Sequence, residues 1–327
     1  MRRDLFVETE RFPIAGGFAI SRGTKTHAEV VTCRLTQDGV TGRGECVPYA
    51  RYDETIESVM AQILSMWPAL SEGLSREELL TTMPAGAARN AIDCALWDLE
   101  AKTGSLNIQE ALGGAPATAV ETAYTISLGE PEAMAAQAAR NANRPLLKVK
   151  VGTPDDTSRI EAVARAAPHS RIILDANEGW TADNIRDHML VSARCRIALV
   201  EQPLPAGHDS ILGHIPHPVP ICADESVHGT DDLDKLLGLY DAVNIKLDKT
   251  GGLTEAIRLH RRAREMGFAI MVGCMVGTSL AMAPAIWLAQ DAEFVDLDGP
   301  LLLEWDREPA LAYEGSMVSP PRPELWG

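Results

Sequence analysis

The chain has no C-x-x-C pair, no run of 18 apolar residues and too little basic charge to balance its acids. Each of these absences excludes a class of protein. Its six cysteines, Cys33, Cys46, Cys94, Cys195, Cys222 and Cys274, are scattered, several within apolar runs such as Ile221-Cys222-Ala223. They read as free buried thiols in a reducing cytoplasm, not as a disulfide framework. Lys+Arg 30 against Asp+Glu 46 gives a formal charge of −16, which provides no basic stripe for nucleic-acid phosphates and no attraction to an anionic membrane. No segment is apolar for long enough to span a bilayer. The start, Met1-Arg2-Arg3-Asp4-Leu5, turns polar again at Glu8-Thr9-Glu10-Arg11 and so lacks the core of a signal peptide. The expectation is a soluble cytoplasmic protein that binds neither nucleic acid nor membrane.

Two further absences concern cofactors. No G-x-G-x-x-G follows a strand-like run, and the tract Gly273-Cys274-Met275-Val276-Gly277-Thr278-Ser279 lacks the lysine and the spacing of a phosphate loop. The eight histidines form no metal motif; His214 and His217 flank a proline-rich loop and read as surface residues. What remains is an ordinary globular composition, 46% hydrophobic and 23% charged over 327 residues, enough for one large enzyme-sized fold or two domains.

The first hundred or so residues suggest an α+β domain. Glu29–Leu35 and Val40–Val47 are strand-like about an Asp38-Gly39 hairpin turn. Apolar residues at helical spacing then predict helices over Glu54–Leu70 and Ala85–Lys102. From about residue 116 the pattern alternates, with short apolar runs each followed by a helical stretch. The runs end at Thr125, Lys150, Asp175, Glu201, Asp224, Lys246, Val272 and Asp296, with steps of 25, 25, 26, 23, 22, 26 and 24 residues. Eight such runs at near-constant spacing predict a (β/α)8-type, modified TIM barrel, an α/β fold with the α+β domain as its cap. A doubly wound open sheet is the structural alternative.

In such barrels the chemistry lies at the C-terminal strand ends, and six of these eight ends are ionisable. Asp175, Glu201 and Asp224 end successive strands, so their carboxylates would converge at the mouth, where they would repel one another unless a cation held them. Oxygen donors without His or Cys select a hard cation, and Mg²⁺ is the natural choice. Lys148 and Lys150, one residue apart in a strand, share a face, and Lys246 ends the strand across the barrel. Ammonium groups close to one another and to a divalent cation are expected to shift towards the neutral amine that a general base needs. One lysine would take a proton from carbon α to a carboxylate, the cation would stabilise the enediolate, and the other would reprotonate the opposite face. A Schiff-base lysine is the rival mechanism, but it requires no trio of acids.

These residues resemble the enolase superfamily, in particular its dipeptide epimerase branch close to the L-Ala-D/L-Glu epimerases, over nearly the whole chain. The motifs that carry the resemblance are Lys148-Val149-Lys150-Val151-Gly152, Asp175-Ala176-Asn177-Glu178-Gly179-Trp180, Val200-Glu201-Gln202-Pro203, Ala223-Asp224-Glu225-Ser226, Asn244–Gly252 and Asp296-Leu297-Asp298-Gly299-Pro300. In that superfamily Lys or His bases work with Mg²⁺. The resemblance implies one Mg²⁺ per subunit on Asp175, Glu201 and Asp224. Lys150 and Lys246 are then the acid/base pair, Lys148 tunes Lys150, and Asn177 and Glu225 position ligands and lysines. Asp296 and Asp298, on one side of the last strand, would receive a dipeptide's α-ammonium, with Thr125 and Lys148 on the substrate side as well. Residues 1–115 become a capping lid, 116–299 the catalytic barrel and 300–327 a segment returning to the lid.

The resemblance also implies that lid loops choose the substrate. Gly16–Thr26 carries Arg22, a partner for an acidic side chain, and Pro48–Glu54 carries Arg51 and Tyr52. The expected activity is epimerisation at the C-terminal residue of a dipeptide, with L-Ala-L-Glu from cell-wall peptides as the leading substrate. A homo-oligomer is compatible with this reading. The alternatives are an N-acylamino acid racemase, a succinylbenzoate synthase or a muconate-type cycloisomerase, whose substrates lack the free ammonium. A catalytically silent barrel used for binding is the non-enzyme alternative.

Overall fold

A computed structural model describes residues 2–327. The chain starts with an antiparallel sheet, β1 (Asp4–Ile20), β2 (Gly23–Gln37) and β3 (Val40–Cys46), in the order β1-β2-β3. Asp38 and Gly39 both take positive φ, 52° and 82°, as a two-residue hairpin turn requires. The helix Ala87–Lys102 lies directly on β3, and the closeness of that contact dictates two residues. A Cβ at Gly42 would stand 2.2 Å from the Ala95 carbonyl, and one at Gly44 would stand 2.1 Å from that of Ala91. Val31, Leu35, Ile92 and Leu96 fill the small core between helix and sheet. The single helix expected over Glu54–Leu70 is instead two, Ile56–Ser65 and Trp67–Ser71. Pro68, which has no N–H to donate, sits in the first turn of the second and breaks the ladder there.

After a short strand, β4 (Val120–Glu121), come eight parallel strands in sequential order: β5 (Tyr124–Ile126), β6 (Leu146–Lys150), β7 (Arg171–Asp175), β8 (Leu199–Glu201), β9 (Ile221–Ala223), β10 (Ala242–Ile245), β11 (Ala269–Gly273) and β12 (Phe294–Asp296). Every expected run end falls within one residue of a strand end. The barrel is drawn together between its first and last strands by the Ala123 N–H to the Val295 carbonyl at 2.8 Å and the Thr125 N–H to Asp298 Oδ2 at 2.7 Å. Its interior holds a layer with one residue from nearly every strand: Ala123, Leu146, Ile173, Leu199, Cys222, Ala242 and Met271. The larger apolar core lies between the strands and the outer helices.

Two expectations about the barrel need correction. A helical stretch does not follow every strand, because β8 returns through only a 3-10 turn, Ser210–His214, held in a short proline-rich connection. His217 is half-buried and not a surface residue, with its ring 2.8 Å from Asp241, whereas His214 is exposed. Four of the six thiols are buried and all six are free, but Cys195 and Cys274 are only half-buried.

After β12 the chain returns to the N-terminal domain. Ile14 bridges Leu303, and Arg307 ties Glu10 at 2.9 Å to Glu45 at 2.6 Å. Strand β13 (Tyr313–Glu314) then pairs with β14 (Met317–Val318), β14 pairs with β4, and Trp326 donates to the Cys94 carbonyl. No helix among the described residues is long and apolar enough to cross a membrane.

A buried acid seals the seam between the N-terminal domain and the barrel. Asp248 Oδ1 accepts both the Val47 N–H and Asn90 Nδ2, while burial pushes its carboxyl up to about 7. The folded state therefore keeps a proton that the unfolded chain loses near pH 4, and stability should fall as pH rises from about 4 to about 7, then level off. Asp248→Asn preserves the accepting oxygen and removes the titration. Urea denaturation across this window should show a shallower fall in the variant, smaller by a few kcal/mol, while the other raised carboxyls, Asp93, Glu201 and Asp298, contribute alike to both proteins. Equal slopes in the two proteins would refute the assignment.

Candidate active site

The barrel mouth faces the lid across a cavity of about 1200 Å³, whose lining includes Lys150, Lys246, Asp224, Glu225, Arg22 and Tyr52. Parallel strands place their last side chains at this end, so the strand-end residues meet without any help from the loops.

Lys148 and Lys150 share a face, as their spacing predicts: their Nζ atoms lie 3.1 and 2.6 Å from the same oxygen, Asp175 Oδ2. Lys148 is fully buried and also reaches Glu201 Oε2 at 2.7 Å and Asp296 Oδ2 at 2.7 Å. On the far side, Lys246 Nζ lies 2.6 Å from Asp224 Oδ2 and 3.9 Å from Glu201 Oε1. The three acids are thus brought together as an alternating chain of carboxylates and ammonium groups. Among the described residues they do not close into a ready metal cage.

Charge in this chain differs from the sequence expectation in one respect. Burial alone would lower the proton affinity of Lys148 and Lys246, but the surrounding carboxylates outweigh it and raise both well above the ordinary lysine value. Lys148 and Lys246 each face at least one acid directly, whereas the shift towards neutral amine is expected beside a divalent cation. Asp175 and Asp224 are held below the usual range: burial opposes this, but the lysines prevail. Glu201 goes the other way, pushed up to about 7 by burial and the neighbouring Asp175 charge. Its Oε2 lies beside Lys148 at an angle that makes an ion pair but no hydrogen bond.

That strained carboxylate tests the fit to a metal. Three buried, all-oxygen side chains, one of them poorly satisfied, match the preference of a hard divalent cation. Neighbouring groups fix their orientation. Asp175 Oδ1 accepts the Asn177 N–H, and Asn244 Nδ2 donates to Glu201 Oε1 at 2.8 Å. Lys249 binds Asp224 Oδ1 at 2.6 Å together with the Asp224 and Asn244 carbonyls, and Gln202 Oε1 accepts the Asp224 N–H. Sequence reasoning missed Lys249, Asn244 and Gln202 as site residues because none of them ends a strand. All three lie in motifs already marked, and an amide or ammonium flanking a strand-end acid was the available signal.

The last strand separates the two aspartates. Asp296 ends β12 and holds Lys148, while its Oδ1 is buried with no partner. Asp298 lies beyond the strand end, at the start of a 3-10 turn, with its carboxyl pushed up to about 7 by burial and the Asp296 charge. It accepts the Thr125 backbone N–H, so Thr125 meets it through the main chain. Arg22 is at the tip of the β1–β2 hairpin, since residues expected to form an open loop continue the ladder to Ile20 and Gly23. Its guanidinium binds Glu225 at 2.8 Å, the Asn177 carbonyl at 2.8 Å, Glu178 at 3.1 Å and the Tyr49 hydroxyl at 3.1 Å.

Comparison with known proteins gives this geometry a setting. Residues 133–323 match the model of the enolase C-terminal domain-like family, and residues 2–113 match the N-terminal domain of mandelate racemase / muconate lactonizing enzyme. The chain is 46% identical to an L-Ala-D/L-Glu epimerase of Escherichia coli strain K12, over 95% of this chain and 98% of that one. It is 47% identical to an N-acetyl-D-glutamate racemase of a Pseudoalteromonas species, over 88% and 91%. A crystal structure of an enolase family member from Agrobacterium tumefaciens, described as homologous to dipeptide epimerases and holding sodium and L-Ala-L-Glu, superposes with a TM-score of 0.98 at 60% identity, covering 99% of this chain and 100% of that one. The dipeptide epimerase of Enterococcus faecalis V583, complexed with Mg and L-Leu-L-Tyr, superposes at 0.91 with 28% identity, covering 98% of each chain.

Proposed function

The chain belongs to the enolase superfamily, in its mandelate racemase and muconate lactonizing enzyme group, and from that membership we propose that it is a Mg²⁺-dependent dipeptide epimerase. The leading substrate is L-Ala-L-Glu, inverted at the α-carbon of its C-terminal residue. Residues 1–115 act as the lid, 116–299 as the catalytic barrel and 300–327 as the returning segment. The protein works in the cytoplasm with one Mg²⁺ per subunit.

One observation carries this reading: Lys150 and Lys246, on strands four apart in the barrel, line the same cavity. A proton can therefore leave one face of a carbon between them and return to the other. One lysine enters as the free amine and takes the α-proton, and the C–H electron pair moves into the substrate carboxylate. The second lysine, as the ammonium, then gives a proton to the opposite face. Mg²⁺, when held by Asp175, Glu201 and Asp224, supplies positive charge beside the substrate carboxylate as the α-proton departs. Lys148 keeps Asp175, Glu201 and Asp296 in register, and Asn177 and Glu225 brace the ligands and Arg22.

The unpartnered Asp296 Oδ1, with Asp298 beside it, supports a dipeptide with a free α-ammonium. Arg22, and the A. tumefaciens neighbour with its L-Ala-L-Glu, support an acidic second residue. The similarity to the Pseudoalteromonas racemase favours a second reading, N-acylamino acid racemisation, in which the substrate nitrogen carries no charge. Proton NMR in D₂O with Mg²⁺ separates the two. The glutamyl α-proton of L-Ala-L-Glu should exchange much faster than that of N-acetylglutamate. If only the N-acetyl compound exchanges, the dipeptide reading is wrong.

A further inference from the structure

Glu178 follows the Asp175 strand end but belongs to no part of the proton-transfer machinery, and its backbone takes a conformation that non-glycine residues rarely adopt. Asn177 and Glu178 have φ of 44° and 68°. Consecutive left-handed residues of this kind persist only where surrounding contacts hold them, and they cluster at functional sites. Here the contacts come from both lid segments at once. Arg51, in the 3-10 turn Ala50–Tyr52, grips Glu178 at two points, Nε to Oε2 and Nη2 to Oε1, both at 2.8 Å. Arg22, at the hairpin tip, reaches Glu178 Oε2 at 3.1 Å, and the Ala206 N–H donates to Oε1 at 2.9 Å. Ser21 and Arg22 also both donate to the Asn177 carbonyl, which this backbone turn aims at the lid.

We propose that Glu178 is a positioning residue that latches the two lid segments together and sets Arg22 for an acidic substrate, resting in its second part on the dipeptide reading above. Arg51 is as important to the device as Glu178. A lone buried carboxylate beside Arg22 would compete with a substrate carboxylate for the same guanidinium. The two-point Arg51 pair matches the Glu178 charge, and its bonds are shorter than the single Arg22 contact. Arg22 is thereby held in place while keeping charge to offer, with Glu225 as its remaining acidic partner. Each lid segment is thus anchored to the barrel through the same carboxylate, 48–54 by the two Arg51 bonds and 16–26 by the Arg22 contact.

The latch makes different predictions for its two halves. Hydrogen exchange followed by mass spectrometry should cover peptides spanning residues 16–26 and 48–54 in the full chain without substrate. Glu178→Gln should speed exchange in both segments by about tenfold, the scale of losing a charge-assisted contact. Arg51→Gln should free 48–54 and leave 16–26 protected, since Glu178 still binds Arg22. Unchanged exchange at 16–26 in Glu178→Gln, or equal opening of both segments in Arg51→Gln, overturns the proposal. Should Glu178→Gln fail to fold, the more exposed Arg51→Gln decides alone: opening confined to 48–54 supports the latch, and any other pattern refutes it. Kinetics then test the charge argument. Arg51→Gln should raise KM for L-Ala-L-Glu several-fold more than for a neutral dipeptide, with kcat little changed. Equal KM changes would overturn the Arg22 half and leave the exchange result standing. If no dipeptide reacts at all, the epimerase reading fails and the exchange data still judge the latch.

Discussion

Lys150→Ala and Lys246→Ala should each lower epimerase turnover by roughly two to four orders of magnitude, the range general acid–base groups contribute. The informative result lies in what each variant keeps. Each lysine meets only one face of the substrate carbon, so a variant that lacks one still has a base for one epimer. In D₂O, each variant should exchange the α-proton of a single stereoisomer, and the two variants should retain opposite stereoisomers. Both ammonium groups are ion-paired, Lys150 to Asp175 and Lys246 to Asp224, so each truncation also leaves a buried acid unmatched. Thermal unfolding of the Mg²⁺-loaded variants separates that loss from the loss of a base. If both variants exchanged the same stereoisomer, or if either kept full turnover, the two-face assignment would be wrong.

The strand ends were the legible part of this chain. A barrel puts its chemistry where each strand stops, and the stops are marked by a change from apolar to charged residues that needs no three-dimensional knowledge. Lys150, Asp175, Glu201 and Asp296 were therefore located to the residue, and Asp224 and Lys246 lie one position beyond their strands. The missed residues belong to a different layer of the design. Lys249 projects from the short helix Leu247–Thr250, and Gln202 acts from an unusual backbone angle, φ 34°. Neither position has a periodicity to betray it. The ion pairs of Lys148 and Lys246 escaped the sequence for a related reason. Strand spacing brings lysines and acids to the same mouth, but only distances show that Lys148 and Lys246 touch carboxylates that outweigh their burial. The Glu178 contacts were hidden further still, since Arg22 and Arg51 lie more than a hundred residues earlier in the chain.

Lys148 offers the largest expected effect on stability. Its ammonium is the sole group among the described residues that touches Asp175, Glu201 and Asp296 together, and it does so with almost no exposure to water. Lys148→Met keeps most of the volume and removes the charge, leaving Asp296 without its cation, Glu201 with only the more distant Lys246, and Asp175 with Lys150 alone. Losing one side of a buried ion pair costs ~3–5 kcal/mol, and a three-way pair in EDTA at pH 8 belongs at or above that range. Two conditions should relieve the loss. At pH 5 Glu201, raised to about 7 even beside Lys148, is protonated in the folded state: without that ammonium it holds its proton to higher pH still, so the folded variant binds an extra proton at about pH 7 to 8 and its deficit shrinks as pH falls. At pH 8, Mg²⁺ in excess should shrink the deficit as well, because a cation then stands among the same acids. Urea denaturation of native protein and variant, at pH 5 and pH 8 in EDTA and at pH 8 with Mg²⁺, measures all three differences. A deficit that stays the same across the three conditions would mean that Lys148 serves packing alone, and the picture of an acid cluster held by its lysines until a metal arrives would have to be abandoned.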